Sequence, residues 1–104
     1  MANYVLAYKG GSMAATEEER QAATAAWMSW FGQLGQAVVD PGNPFGPAAT
    51  VTNGGSVSDG AASAITGYSV LSADSLAAAS ALVEDCPVLA AGGSVEVYET
   101  IPVM

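Results

Sequence analysis

The chain has 104 residues, about half of them apolar, and a formal charge of −8, with Lys9 and Arg20 as its only cations. That length fits one domain over 1–104 with a modest core, and the charge balance leaves no basic stripe to neutralise phosphates or meet anionic lipid. Nucleic acid and membrane surfaces are excluded as expected partners, and an acidic substrate would be repelled unless one of the two cations lay in its pocket.

Asn3 to Lys9 reads as a strand in which Tyr4, Leu6 and Tyr8 alternate with Val5 and Ala7, so both of its faces are apolar and neither can be left to water without cost. Lys9-Gly10-Gly11-Ser12 closes it with a turn. Thr16-x-x-Glu19 then forms a capping box, and Glu17, Glu18 and Glu19 sit where a helix dipole favours negative charge. Ala23, Trp27, Trp30, Phe31 and Leu34 recur at spacings of three and four, one stripe of a helix that Gly35 ends.

Ala37-Val38-Val39 opens a second strand. Asp40-Pro41-Gly42-Asn43-Pro44-Phe45-Gly46-Pro47 predicts an irregular loop, because its prolines lack donors for a ladder. Thr50 to Thr52 and Ser56 to Ser58 flank Asn53-Gly54-Gly55 and predict a small hairpin, with Asn-Gly supplying the positive φ angles of the turn. Ile65 to Leu71 is the third principal strand, with Ile65, Gly67, Ser69 and Leu71 on one face and Tyr68 and Val70 on the other.

Asp74 is the expected N-cap of a second helix whose apolar positions are Leu76, Ala79 and Val83, and Pro87 stops it. After Gly92-Gly93 the last strand is expected over Ser94 to Val103, with Val95, Val97 and Ile101 on one face and Glu96, Tyr98 and Thr100 on a second, partly polar one. The Ala-rich stretches at 22–26 and 77–81 are too short to cross a bilayer. Cys86 stands alone and no signal-peptide pattern opens the chain, so a reducing, cytoplasmic location is expected.

The order strand, helix, strand, strand, helix, strand is the α+β ferredoxin-like βαββαβ arrangement, an antiparallel sheet with two helices on one face. Two helices cover one face only. An apolar second face points to a homodimer closed sheet to sheet.

Among residues able to carry chemistry, Asp40 follows an apolar strand and opens a Pro/Gly-rich loop, where a carboxylate at a cleft can serve as a general base. The plainer role for it is a turn residue accepting backbone N–H groups. Asn43 and Phe45 are placed to line the same cleft by hydrogen bonding and stacking, or only to fix the loop. Trp27 and Trp30 suit the wall of a pocket for an apolar or aromatic ligand, and equally a core stripe. Tyr68 and Tyr98 are candidate phenolic acids or cross-strand packing partners. Cys86 has no His to activate it, the acidic residues lack metal-ligand spacing, and the Gly pairs lack the Lys of a phosphate loop, so no metal and no cofactor are expected.

With these elements placed, the chain resembles the YCII-related family, which also includes the DGPF-domain proteins. The resemblance is carried by Cys86-Pro87-Val88-Leu89-Ala90-Ala91-Gly92-Gly93-Ser94-Val95-Glu96-Val97-Tyr98-Glu99, by Gly67 to Leu76, by Tyr4 to Tyr8 and by the helix leading to Gly35. It implies a dimeric α+β barrel. Members with a proposed enzyme role pair a His near the first helix with an Asp, whereas this chain has no His and places Trp27, Met28 and Trp30 there. Asp59-Gly60-Ala61-Ala62 stands nearest to the Asp-Gly-Pro-Phe signature without matching it. The expected function is a homodimeric small-molecule-binding or regulatory module lacking that dyad. The alternative is an isomerase- or lyase-type enzyme using a carboxylate or Tyr as acid/base.

Overall fold

The computed structural model describes residues 1–11 and 15–103. Its elements in chain order are β1 (Ala2–Lys9), α1 (Glu17–Leu34), a 3-10 turn (Gly35–Ala37), β2 (Val38–Asp40), β3 (Ala49–Val51), β4 (Val57–Asp59), β5 (Ile65–Ala73), α2 (Leu76–Leu82), α3 (Pro87–Ala90) and β6 (Ser94–Glu99). β2, β5, β1 and β6 form one antiparallel sheet in that order, and β3 pairs with β4 in a separate hairpin. The expected ferredoxin-like α+β topology is the one observed. The turn after β1 is described as far as Gly11, and its Ser12 lies outside the described residues.

Register decides which residues meet. Tyr4, Leu6 and Tyr8 of β1 stand opposite Leu71, Ser69 and Gly67 of β5 and opposite Glu99, Val97 and Val95 of β6. This face receives the helices. Leu6, Tyr8, Trp30, Leu71, Val83, Cys86 and Val88 form one buried cluster, and Tyr4, Ala73 and Ala79 form a second. The opposite face carries Val5 and Ala7 of β1, Tyr68 and Val70 of β5, and Glu96 and Tyr98 of β6. Among the described residues no helix packs over it, and Tyr98 is half exposed.

α1 begins as its capping box requires. The Glu19 N–H donates to Thr16 Oγ1 at 3.1 Å, and the Ala15 N–H donates to Glu19 Oε2 at 2.7 Å. Trp30 is buried and Trp27, Phe31 and Leu34 are partly so, but Ala23 of the expected stripe is exposed. The N-terminal half of α1 therefore does not sit on the sheet and leaves space beside it.

Several expected boundaries shift for local reasons. The N-cap of α2 is Ser75 rather than Asp74: its side chain accepts the Ala78 N–H at 3.0 Å, and Leu76 beside it is 48% exposed instead of core. Both residue types cap well, and the hydroxyl one position nearer the helix takes the role. α2 ends at Leu82, with Val83 as its C-cap, ahead of Pro87; Pro87 instead opens α3, since a proline at the first helical position loses no intrahelical bond. The last strand stops at Glu99. Thr100 still donates to the Asn3 carbonyl, Pro102 offers no donor, and Ile101 and Val103 are exposed. In the hairpin turn the positive φ angles fall on Gly54 (94°) and Gly55 (85°), not on Asn53, and the Gly55 N–H donates to Thr52 O at 3.0 Å.

Candidate functional site

Beyond Asp40 the chain does not leave the sheet. The Tyr68 N–H donates to Asn43 O at 3.3 Å, the Phe45 N–H donates to Thr66 O at 2.9 Å, and Pro44 bridges to Gly67. The prolines alternate with Asn43 and Phe45, the residues that present pairing groups to β5, so the segment expected to be irregular extends the edge of the sheet. Gly42 makes the approach close: it has φ 72°, and a Cβ there would collide with the Tyr68 carbonyl oxygen.

This segment, α1 and α3 enclose a groove of about 1180 Å³. Its floor is Tyr8, Gly67 and Ser69. One wall is α1, through Ala23, Ala26, Trp27, Trp30 and Phe31; facing it stand Pro41 to Pro44, with Gly10, Gly11, Asp85 and the α3 residues Pro87 and Val88 at the end. Small alanines on the part of α1 that leaves the sheet keep the groove open, and aromatic rings fill its deeper side. Trp27 is the centre of that ring cluster. Its centroid lies 5.0 Å from Tyr8 in an edge contact, 5.8 Å from Trp30 and 5.8 Å from Phe31. Trp30 is the anchor: only 3% exposed, it donates its Nε1–H to Leu82 O at 3.3 Å.

Beneath the rings runs a buried hydrogen-bonded chain. The Tyr8 hydroxyl donates to Ser69 Oγ at 2.7 Å, and Ser69 donates to Pro41 O at 2.6 Å. Burial pushes the Tyr8 phenol far above the usual tyrosine range. Cys86, in the core next to this cluster, is pushed up to about 11 by burial, so its thiol stays protonated and unreactive at neutral pH.

The candidates named from sequence divide between two places. Trp27, Trp30, Asn43 and Tyr68 border the groove; Asp40 and Phe45 are not among its lining residues. Asp40 fills the turn role, accepting the Gly42 N–H on Oδ1 at 2.9 Å, and its Oδ2 accepts the Tyr68 hydroxyl at 3.3 Å. Phe45 stacks on Tyr68 with centroids 5.7 Å apart. Tyr98 donates to Glu96 Oε1 at 3.0 Å, and that bond together with the carboxylate's charge raises its pKa. Tyr8, Ser69, Phe31 and Asp85 were not singled out in advance. The available signal was Ser69, a hydroxyl on the core face of a strand, which must find a partner.

Neither cation enters the groove. Lys9 reaches Glu96 at 3.9 Å on the far side of the sheet, and Arg20 pairs with Glu17 at 3.0 Å on the surface of α1. Among the described residues no group of three or more potential metal ligands occurs, and no helix is long and apolar enough to cross a membrane.

The family model of the YCII-related domain matches residues 1–104, the whole chain. The chain belongs to the YCII-related family. No curated protein matches it. Within this YCII-related domain, the stretch of α1 that resemblance associates with a His carries Trp27, Met28 and Trp30, and two of these, the indoles, build the groove's aromatic side.

Proposed function

We propose that this YCII-related chain is a cytoplasmic homodimeric module that binds a small apolar or aromatic molecule, each copy holding it in the groove between α1 and the Pro41 to Pro44 segment. The observation that carries the binding role is the groove itself: preformed, aromatic on its deep side and bordered by a few polar groups, which is the usual make-up of a small-molecule site. The proposed dimer is supported by the uncovered sheet face, where Val5, Val70 and Tyr98 lie in register across three strands. The groove is on the helix side, so pairing through the sheet would leave it accessible. A lone buried Cys86 suits a reducing compartment.

A panel of small aromatic and lactone-like compounds tests the binding role by thermal shift, because a ligand that binds only the native state raises the melting temperature. Compounds that stabilise the wild type and not Trp27→Ala would support it. No stabilising compound in a broad panel would overturn it.

One contact favours the second reading, an isomerase- or lyase-type enzyme. The Tyr68 hydroxyl and the Asp40 carboxylate form a hydrogen-bonded acid/base pair at the edge of the sheet, with Tyr68 on the face away from the helices. Turnover of a bound compound that is abolished in Asp40→Asn would establish that role, and unchanged turnover would remove Asp40 from it.

A further inference from the structure

Charge sorts the ligands this groove could hold. Among the described residues, Asp85 is the only one with a formally charged side chain that lines it, and none of them forms an ion pair with Asp85. Both of the chain's basic side chains are engaged elsewhere, with Glu96 and Glu17. The molecule as a whole carries −8, so its field repels anions and concentrates cations at the mouth of any cleft. The Asn43 side chain, of a residue also bordering the groove, makes no hydrogen bond among the described residues and offers a carbonyl acceptor. Tyr8, Trp27 and Phe31 supply aromatic rings, whose faces attract a cation and whose hydrocarbon suits an apolar body.

We propose that the groove selects an organic monocation, an ammonium ion carrying an aryl or alkyl body, with the charge facing Asp85 and the body against the Trp27 and Phe31 rings. The inference rests on the groove being a ligand site and adds the charge of its occupant. A carboxylate or phosphate ligand would find no positive side chain in the groove and would stand against Asp85. A neutral isostere would keep the ring contacts and forgo the charge.

Calorimetric titration of the intact protein with three probes of similar shape tests this: 3-phenylpropylammonium, 3-phenylpropanol and 3-phenylpropionate. The expected result is binding of the ammonium ion about tenfold tighter than the alcohol, with the carboxylate weakest. Asp85→Asn lies on the surface and removes one charge, so it should bring the ammonium ion's affinity down to that of the alcohol and leave the alcohol's unchanged. Raised salt should weaken only the charged probe. Equal affinities for ammonium and alcohol, unaltered in Asp85→Asn, would overturn the assignment of charge while leaving the groove as a binding site. Failure of all three probes to bind would overturn both.

Discussion

The hydroxyl of Tyr8 and the hydroxyl of Ser69 lie 2.7 Å apart inside the protein, and Ser69 passes its own hydrogen to Pro41 O at 2.6 Å. One buried serine thus ties the middle strand of the sheet to the segment that walls the groove. Ser69→Ala removes the link and leaves a buried phenol and a carbonyl short of a partner, a loss of about 1–3 kcal/mol. Tyr8→Phe takes away one bond and leaves Ser69 still bound to Pro41, so it should cost about 1 kcal/mol. Urea unfolding of the two single variants and the double variant checks this; the double should lose less than the sum, because the two groups share one bond.

Alkali should reveal the buried Cys86 and Tyr8 in that order. The Cys86 thiol has its pKa raised from an ordinary value near 9 to about 11 by burial, so the native state holds that proton more tightly than the unfolded chain does. Stability is then fully present below about pH 9 and is lost as pH rises from there through about 11. Tyr8, shifted up by burial as well, adds a further loss above about pH 10, the usual tyrosine value. In Cys86→Ala the first decline should flatten, whatever constant offset the lost sulfur brings. Denaturant midpoints measured from pH 7 to 11 test it, and an unchanged slope in Cys86→Ala would assign the decline elsewhere. Native Cys86 should also resist alkylation at pH 7 and react on unfolding.

The strands were legible because alternation states a face directly: Tyr4, Leu6 and Tyr8 in β1 and Leu71 and Ser69 in β5 are inward as their period requires. The cap of α1 was equally plain. What the residues did not disclose depends on who lies opposite whom. Pro87 reads as a stop, but α2 has already ended at Leu82 and Pro87 is a start. The Pro41 to Phe45 segment reads as a break, and its return to β5 becomes visible once Asn43 and Phe45 are set in register with Tyr68 and Thr66. The spacing of Trp27 and Trp30 puts them on one stripe, and the fold separates their surroundings: Trp30 is buried and anchors the helix, while Trp27 is partly exposed at the groove. Asp85 and Tyr8 belong to the site only through tertiary placement, which spacing along the chain does not encode.

That division between the two indoles should separate stability from binding. Trp30 is buried and its N–H is bonded to Leu82 O, so Trp30→Ala opens a large cavity and should cost about 3–5 kcal/mol. Trp30→Phe keeps much of the volume and forfeits the bond, a smaller loss of about 1–2 kcal/mol. Trp27 is partly exposed, and Trp27→Ala should cost less stability than Trp30→Ala while weakening every aromatic ligand of the groove. Thermal melts with and without ligand distinguish the two; a Trp27→Ala variant that binds as well as wild type would remove the ring from the site.

The uncovered sheet face makes the sharpest claim about assembly. Val5 of β1 stands between Val70 of β5 and Tyr98 of β6, and Ala7 stands between Tyr68 and Glu96, so a single row of apolar residues crosses the sheet next to a partly polar one. A second copy laid on this face would bury Val5 and Val70 at the centre, with Lys9 and Glu96 toward the rim, the arrangement of apolar middle and polar border that protein interfaces adopt. Val5→Lys puts a charge in that middle while its neighbours across the strands remain the same. In sedimentation at low micromolar concentration the wild type should run as a dimer and Val5→Lys as a folded monomer that keeps its groove. Tyr8→Phe, altered on the helix side, should stay dimeric. A wild-type protein that sediments as a stable, native monomer would mean that this face is tolerated in water, and sheet-to-sheet pairing would have to be abandoned.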